Sequence, residues 1–151
     1  MTANRAVAAI LIASLAGCSS APQHGAVNFY PANPEANAIG ILKGEYQTVG
    51  PGAGWLRAVM PDGEVLTGQY AIVQAGASGF GSIYASAFAP LAIPGVVYGR
   101  SRTAERSSPC LASLVGDHGT LMQCEFYYDN VFHHGYGGCR SSHGALFRLQ
   151  F

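Results

Sequence analysis

The chain has 151 residues with 8 basic and 8 acidic side chains, 20 glycines and 4 cysteines. That is enough for one domain with a hydrophobic core and too short for two ordinary ones. Only 11% of residues are charged and 49% are hydrophobic, which excludes a disordered charged tail, and a net charge of zero removes the electrostatic basis for nucleic-acid binding.

Arg5 precedes the uncharged run Ala6 to Gly17, which ends at Cys18. The run has the length of a signal-peptide core and falls short of the roughly 20 residues of a spanning helix. Its end, Leu15-Ala16-Gly17-Cys18, resembles the lipobox of bacterial lipoproteins. The resemblance implies removal of residues 1–17, acylation of Cys18, and a partner in the membrane through that lipid anchor. Ser19, standing where Asp would favour inner-membrane retention, implies the outer membrane, with the domain facing the periplasm. Of the charged groups only Arg5 is lost with the leader, so attraction to anionic lipid beyond the anchor is weak.

Residues 18–40 read as a flexible tether. Ser19, Ser20, Pro22, Gly25, Pro31, Asn33, Pro34 and Asn37 interrupt any regular period. The domain proper is expected over 41–151.

Three turn signals punctuate it: Pro61-Asp62-Gly63, Asp117-His118-Gly119 and Ser142-His143-Gly144. A three-residue hairpin loop commonly pairs a type I turn with a left-handed residue, which glycine supplies. Taking each triplet as the loop fixes a register. In the first hairpin Met60 faces Glu64, Ala58 faces Leu66, Leu56 faces Gly68 and Gly54 faces Tyr70. Leu56, Ala58, Leu66, Tyr70 and Ile72 then share one side, with Arg57, Thr67 and Gln69 on the other. In the second, Leu114 faces Met122, Ala112 faces Cys124 and Cys110 faces Phe126, with Gln123 and Glu125 pointing away. In the third, Ser141 faces Ala145 and Cys139 faces Phe147, continued by Leu149 and Phe151, with Arg140, Arg148 and Gln150 opposite. Each register separates apolar from polar, the mark of strands with one buried face. The expected fold is mostly β: a single small domain of antiparallel hairpins, either an open sheet or a small barrel-like sandwich. Helix is a minor component.

No charge occurs between Val65 and Gly99. The glycines and prolines of this stretch break a membrane helix, so it reads as a long Gly/Ala-rich loop over about 75–100, with an edge strand around Ser82-Ile83-Tyr84. Arg100, Arg102, Glu105 and Arg106, followed by Ser107, Ser108 and Pro109, read as a solvated connection into the second hairpin.

Cys124 and Cys139 both fall on core-facing sides, joined by the loop Asp129 to Gly138. A Cys124–Cys139 disulfide is the first choice and Cys110–Cys139 the competitor, in a compartment where disulfides persist. Cys110 is expected to be a buried thiol.

His134-Gly135-Tyr136-Gly137, followed by Gly144 and Phe147, resembles the MORN repeat. Gly44-Glu45-Tyr46, Gly52-Ala53-Gly54, Asp62-Gly63 and Gly68-Gln69-Tyr70 follow a similar outline. The resemblance implies β-hairpin units. The whole chain also resembles small proteobacterial lipoproteins, a likeness that brings no reaction with it.

His118, His133, His134 and His143 invite a metal reading, yet the adjacent pair His133 and His134 point to opposite faces if extended, and His118 and His143 are turn residues. A site of His134, His143 and Asp129 is the alternative; no metal or cofactor is expected. Hydrolysis lacks a signature: Gly76-Ala77-Ser78-Gly79 has no nucleophile-elbow spacing, and Glu45, Asp62, Glu64 and Glu125 are scattered. Exposed aromatics are the better lead. Tyr127, Phe132 and Tyr136 fall on the outer face or in the 129–138 loop beside His133 and His134, a recognition surface for an envelope glycan, lipid or protein. The expectation is therefore a lipid-anchored, non-catalytic binding or structural module, with an envelope hydrolase or a histidine-based metal binder as alternatives.

Overall fold

A computed structural model describes residues 22–50, 52–73, 107–129 and 131–151. The leader, Cys18, the 75–100 loop with Ser82-Ile83-Tyr84, and the basic connection 100–106 lie outside the described residues.

The described chain forms eight strands and one short helix. They are β1 (His24–Pro31), α1 (Pro34–Ile39), β2 (Leu42–Gly50), β3 (Ala53–Val59), β4 (Val65–Ile72), β5 (Ser107–Gly116), β6 (Leu121–Asp129), β7 (Gly135–Ser141) and β8 (Leu146–Gln150). Each strand pairs antiparallel with the next, and β1 closes on β8 through Asn28–Gln150 to Pro31–Phe147, making a closed barrel. Of the two architectures the sequence allowed, closure is the one adopted, and it leaves no sheet edge unpaired.

All three hairpin registers are present. Ala58 pairs with Leu66 and Gly54 with Tyr70; Leu114 pairs with Met122 and Cys110 with Phe126; Cys139 pairs with Phe147. The turn glycines Gly63, Gly119 and Gly144 have φ of 94°, 100° and 84°, the left-handed geometry each loop needs. Cys124 and Cys139 are direct cross-strand partners and form the disulfide, leaving Cys110 as a buried free thiol.

Alternation sends one side chain in two into the lumen, where Val27, Phe29, Leu42, Leu56, Leu66, Leu114, Met122, Phe126, Phe147 and Leu149 are all buried. An eight-strand barrel is just wide enough to be filled by its own side chains. Bulk at one position is matched by its absence at another. A Cβ on Gly137 would lie 2.3 Å from that of Phe126, and one on Gly135 would lie 2.0 Å from the ring of Phe151. Phe151 in turn packs on Tyr46, Phe126 and Tyr128, with ring centroids 4.6, 5.7 and 5.9 Å away.

Residues 24–40, expected to be tether, are instead β1 and α1. Val27 and Phe29 fill the lumen with no exposure, and Ala36 of α1 joins the same core. The strand was hidden because only Val27 and Phe29 mark its inner face, between glycine and proline. Asn33 caps α1, its Oδ1 accepting from the amide of Ala36 at 3.0 Å, with Pro34 in the first turn. Two further corrections are local. Ile72 has inward parity but stands 38% exposed at the barrel rim. Glu125 faces outward, as expected, yet is buried; its register partner on β7 is Gly138, which contributes no side chain to that face. Ser107, Ser108 and Pro109 belong to β5 rather than to a connection.

The outward positions of the described wall carry Lys43, Glu45, Arg57, Arg140 and Arg148 as well as exposed Trp55, Leu111, Val115 and Leu121, so charges interrupt any apolar band of the kind that faces lipid in a membrane-spanning barrel. No helix among the described residues is long and apolar enough to cross a membrane.

Candidate functional site

Turns alternate between the two ends of the barrel. One end carries α1 and the turns around Asp62, His118 and His143. The other carries the start of β1, the β2–β3 turn, the ends of β4 and β5 that flank residues 74–106, and the β6–β7 turn.

The aromatic loop read from the sequence lies at this second end. Tyr127 and Tyr136 are cross-strand partners on the outer wall, stacked at 5.8 Å, and burial pushes the Tyr136 phenol up. Phe132 is 61% exposed at the turn, with Val131 beside it. The Asp129 carboxylate accepts from the amides of both Val131 and Phe132 and sets the turn. His133, at φ 56°, is occupied: its Nδ1 meets Tyr128 Oη at 2.9 Å and its Nε2 meets Gln23 Nε2 at 3.1 Å. His134 is exposed and its carbonyl accepts from the amide of Asp129. The loop thus brings Tyr127, Phe132 and Tyr136 to the surface and uses His133 as a brace.

The same geometry separates the histidines. His134 and His143 flank opposite ends of the seven-residue strand β7, about 20 Å apart. They do not share an ion within one chain.

A different cluster was not legible in the sequence. Asp62, Glu64 and His118, from two adjacent turns, each place a ligand-type atom within 4.8 Å of the others. Glu64 is already committed. Its Oε1 accepts from the amides of His118 (3.2 Å) and Thr120 (2.9 Å), and its Oε2 accepts from Thr120 Oγ1 at 2.6 Å. The Thr120 hydroxyl and amide, against some desolvation, hold the Glu64 carboxyl below its usual value. Glu64 is therefore a clamp between hairpins, with both carboxylate oxygens engaged by protein donors.

Two lumen groups are titratable without being reactive. Burial pushes the Cys110 thiol up to about 12, which keeps it protonated, and its Sγ faces the carbonyl of Ser108 at 3.6 Å. Burial likewise pushes the Tyr70 phenol up, and its hydroxyl has no hydrogen-bond partner among the described residues.

A concave feature of the described residues lies on the outer wall of β1 to β4. It is a groove of about 700 Å³ whose outward lining is His24, Glu45, Gln47, Trp55, Arg57 and Thr67, with Tyr46 and Leu56 at its floor. Trp55 is the sole tryptophan of the chain and is 48% exposed. Glu45 and Arg57 are direct register partners, so opposite charges face one another and largely cancel. The first hairpin's alternation already placed Arg57 and Thr67 outward. What the sequence could not show was the neighbouring wall, because β1 was not recognised as a strand.

No family model, no curated protein and no solved structure matches the chain.

Proposed function

We propose that this chain is a lipid-anchored protein of the bacterial outer membrane, facing the periplasm, whose barrel works as a binding module. The groove on β1 to β4 takes a neutral saccharide of the envelope. One observation carries the reading: a half-exposed indole sits in a concave wall beside a self-compensating Glu45/Arg57 pair and the amide of Gln47. A sugar presents an apolar C–H face suited to an aromatic platform and hydroxyls suited to planar carboxylate, guanidinium and amide groups. The balanced charge favours an uncharged ligand over an anion or a cation. The filled lumen supports a surface role, and no reaction is assigned.

Trp55 supplies the test, since all tryptophan fluorescence arises from it. Titration of the mature chain with uncharged N-acetylglucosamine oligomers, and with charged peptidoglycan fragments and lipopolysaccharide sugars for comparison, is expected to give a saturable change with the uncharged class. Trp55→Ala is expected to abolish the thermal stabilisation by that ligand, which follows mass action in the parent. Absence of any saturable response with a folded protein would remove the saccharide reading. The anchor is tested separately. Cys18→Ser is expected to abolish the acyl mass seen on the parent chain by mass spectrometry, and Ser19→Asp to move the protein to the inner membrane. A parent chain without an acyl group on Cys18 would overturn the anchor.

A further inference from the structure

The chain leaves the barrel toward Cys18 at a defined point. Gln23 precedes β1, and its amide donates to Thr48 Oγ1 at 2.8 Å while its carbonyl accepts from the Thr48 amide at 2.7 Å. Its side-chain amide meets His133 Nε2 at 3.1 Å. Thr48 is followed by Val49, and His133 is preceded by Val131 and Phe132. The leash is therefore rooted between two turns whose apolar tips are 63% exposed at Val49, 57% at Val131 and 61% at Phe132.

Length then limits orientation. Five peptide steps from Cys18 to Gln23 reach at most about 18 Å. The nine residues of β6 span about 30 Å. A leash shorter than the barrel wall holds its root within about 18 Å of the anchor and does not let the barrel stand upright on its opposite end, where the exposed pair Val115 and Leu121 lies. Among the described residues no Lys or Arg lies in the turns at the root end, so those turns offer the bilayer an apolar contact.

We infer that the barrel end bearing Val49, Val131, Phe132 and Tyr136 is seated in the headgroup layer of the leaflet that holds the Cys18 acyl chains. The inference rests on the lipid anchor proposed above. Apolar turn residues beside a lipid anchor add buried apolar area and fix which end of the barrel faces the bilayer. Because the contact of these turns is apolar, it is expected to hold at high salt.

The test uses the acylated full-length mature chain, purified from membranes and placed in phosphatidylethanolamine/phosphatidylglycerol vesicles carrying a nitroxide near the headgroup. In a Trp55→Phe background, tryptophan is introduced by Phe132→Trp, by Val131→Trp or by His143→Trp. The first two are expected to be quenched several-fold more than the third, equally at low and high salt. Two turn positions are used so that loss of folding in one variant leaves the other to decide. Quenching that is equal at both ends, or absent at 131 and 132, would overturn the seating. Mass spectrometry of the same sample reports the acyl group on Cys18. Its absence would overturn anchor and seating together, whereas acylated protein without quenching would overturn the seating alone.

Discussion

Gly137 sits tight against the Cα and Cβ of Phe126, and the two residues are register partners on β7 and β6. Gly137→Ala would bring its Cβ 2.2 Å from the carbonyl oxygen of Glu125 as well as 2.3 Å from Phe126 Cβ. Since backbone is among the obstacles, the strand must shift, and a loss of about 1–3 kcal/mol is expected in urea unfolding. Tyr70 is the opposite case. Its buried hydroxyl has no hydrogen-bond partner among the described residues, so Tyr70→Phe is expected to leave the melting temperature unchanged or raise it; a clear fall would show that the hydroxyl is bonded in solution. Glu64 adds a pH dependence. Its folded pKa lies below the ordinary 4.5, so its contribution is complete above that value and is lost as pH falls through the folded value. Glu64→Gln should therefore melt lower than the parent at neutral pH, with the difference shrinking below about pH 4.5. The sequence made Cys110, Phe126 and Phe147 legible as core because alternation assigns them. It could not make Glu64 legible, because its partners Thr120 and His118 are more than 50 positions away.

At the scale of elements, the hairpins were readable and the pieces between them were not. Asp-x-Gly and Ser-x-Gly turns set register locally, and within a hairpin a register carries facing with it. The 18–40 segment failed the same reading since β1 draws its order from β2 and β8 rather than from a turn of its own. Asn33 joins the two kinds of element. It caps α1, and it also accepts from the amide of Leu146 at 2.9 Å and donates to the carbonyl of Gly144 at 2.9 Å. Asn33→Ala is expected to cost about 1–2 kcal/mol and to raise amide exchange at both Ala36 and Leu146. A purely local cap would move Ala36 alone. The Cys124–Cys139 bridge closes a sequence separation of 15, worth about 3 kcal/mol in the loop-entropy account.

For the whole molecule, closure is the property that no single segment announces. The sequence marks three hairpins, and nothing in any of them says that β1 will return to β8. A chain begun at residue 41 lacks β1 and with it Val27 and Phe29. It is expected to expose the facing edges of β2 and β8 and to be degraded or aggregate, whereas 22–151 folds; limited proteolysis of the two separates these outcomes. The groove belongs to this scale too, because its wall combines β1 with the first hairpin.

Pairing of β1 with β8 also imposes an order in time. A ribosome delivers β1 and β2 early and the Leu146–Gln150 segment last. Until that segment arrives, Phe29 faces half a wall and the outer edge of β1 has no partner from its own chain. β8 is thus a latch, and every nascent or C-terminally clipped copy passes through a stage with two open edges. Two such copies side by side present open edges of β1 and β7 to each other, so chains interrupted before residue 146 are the ones expected to pair edge to edge.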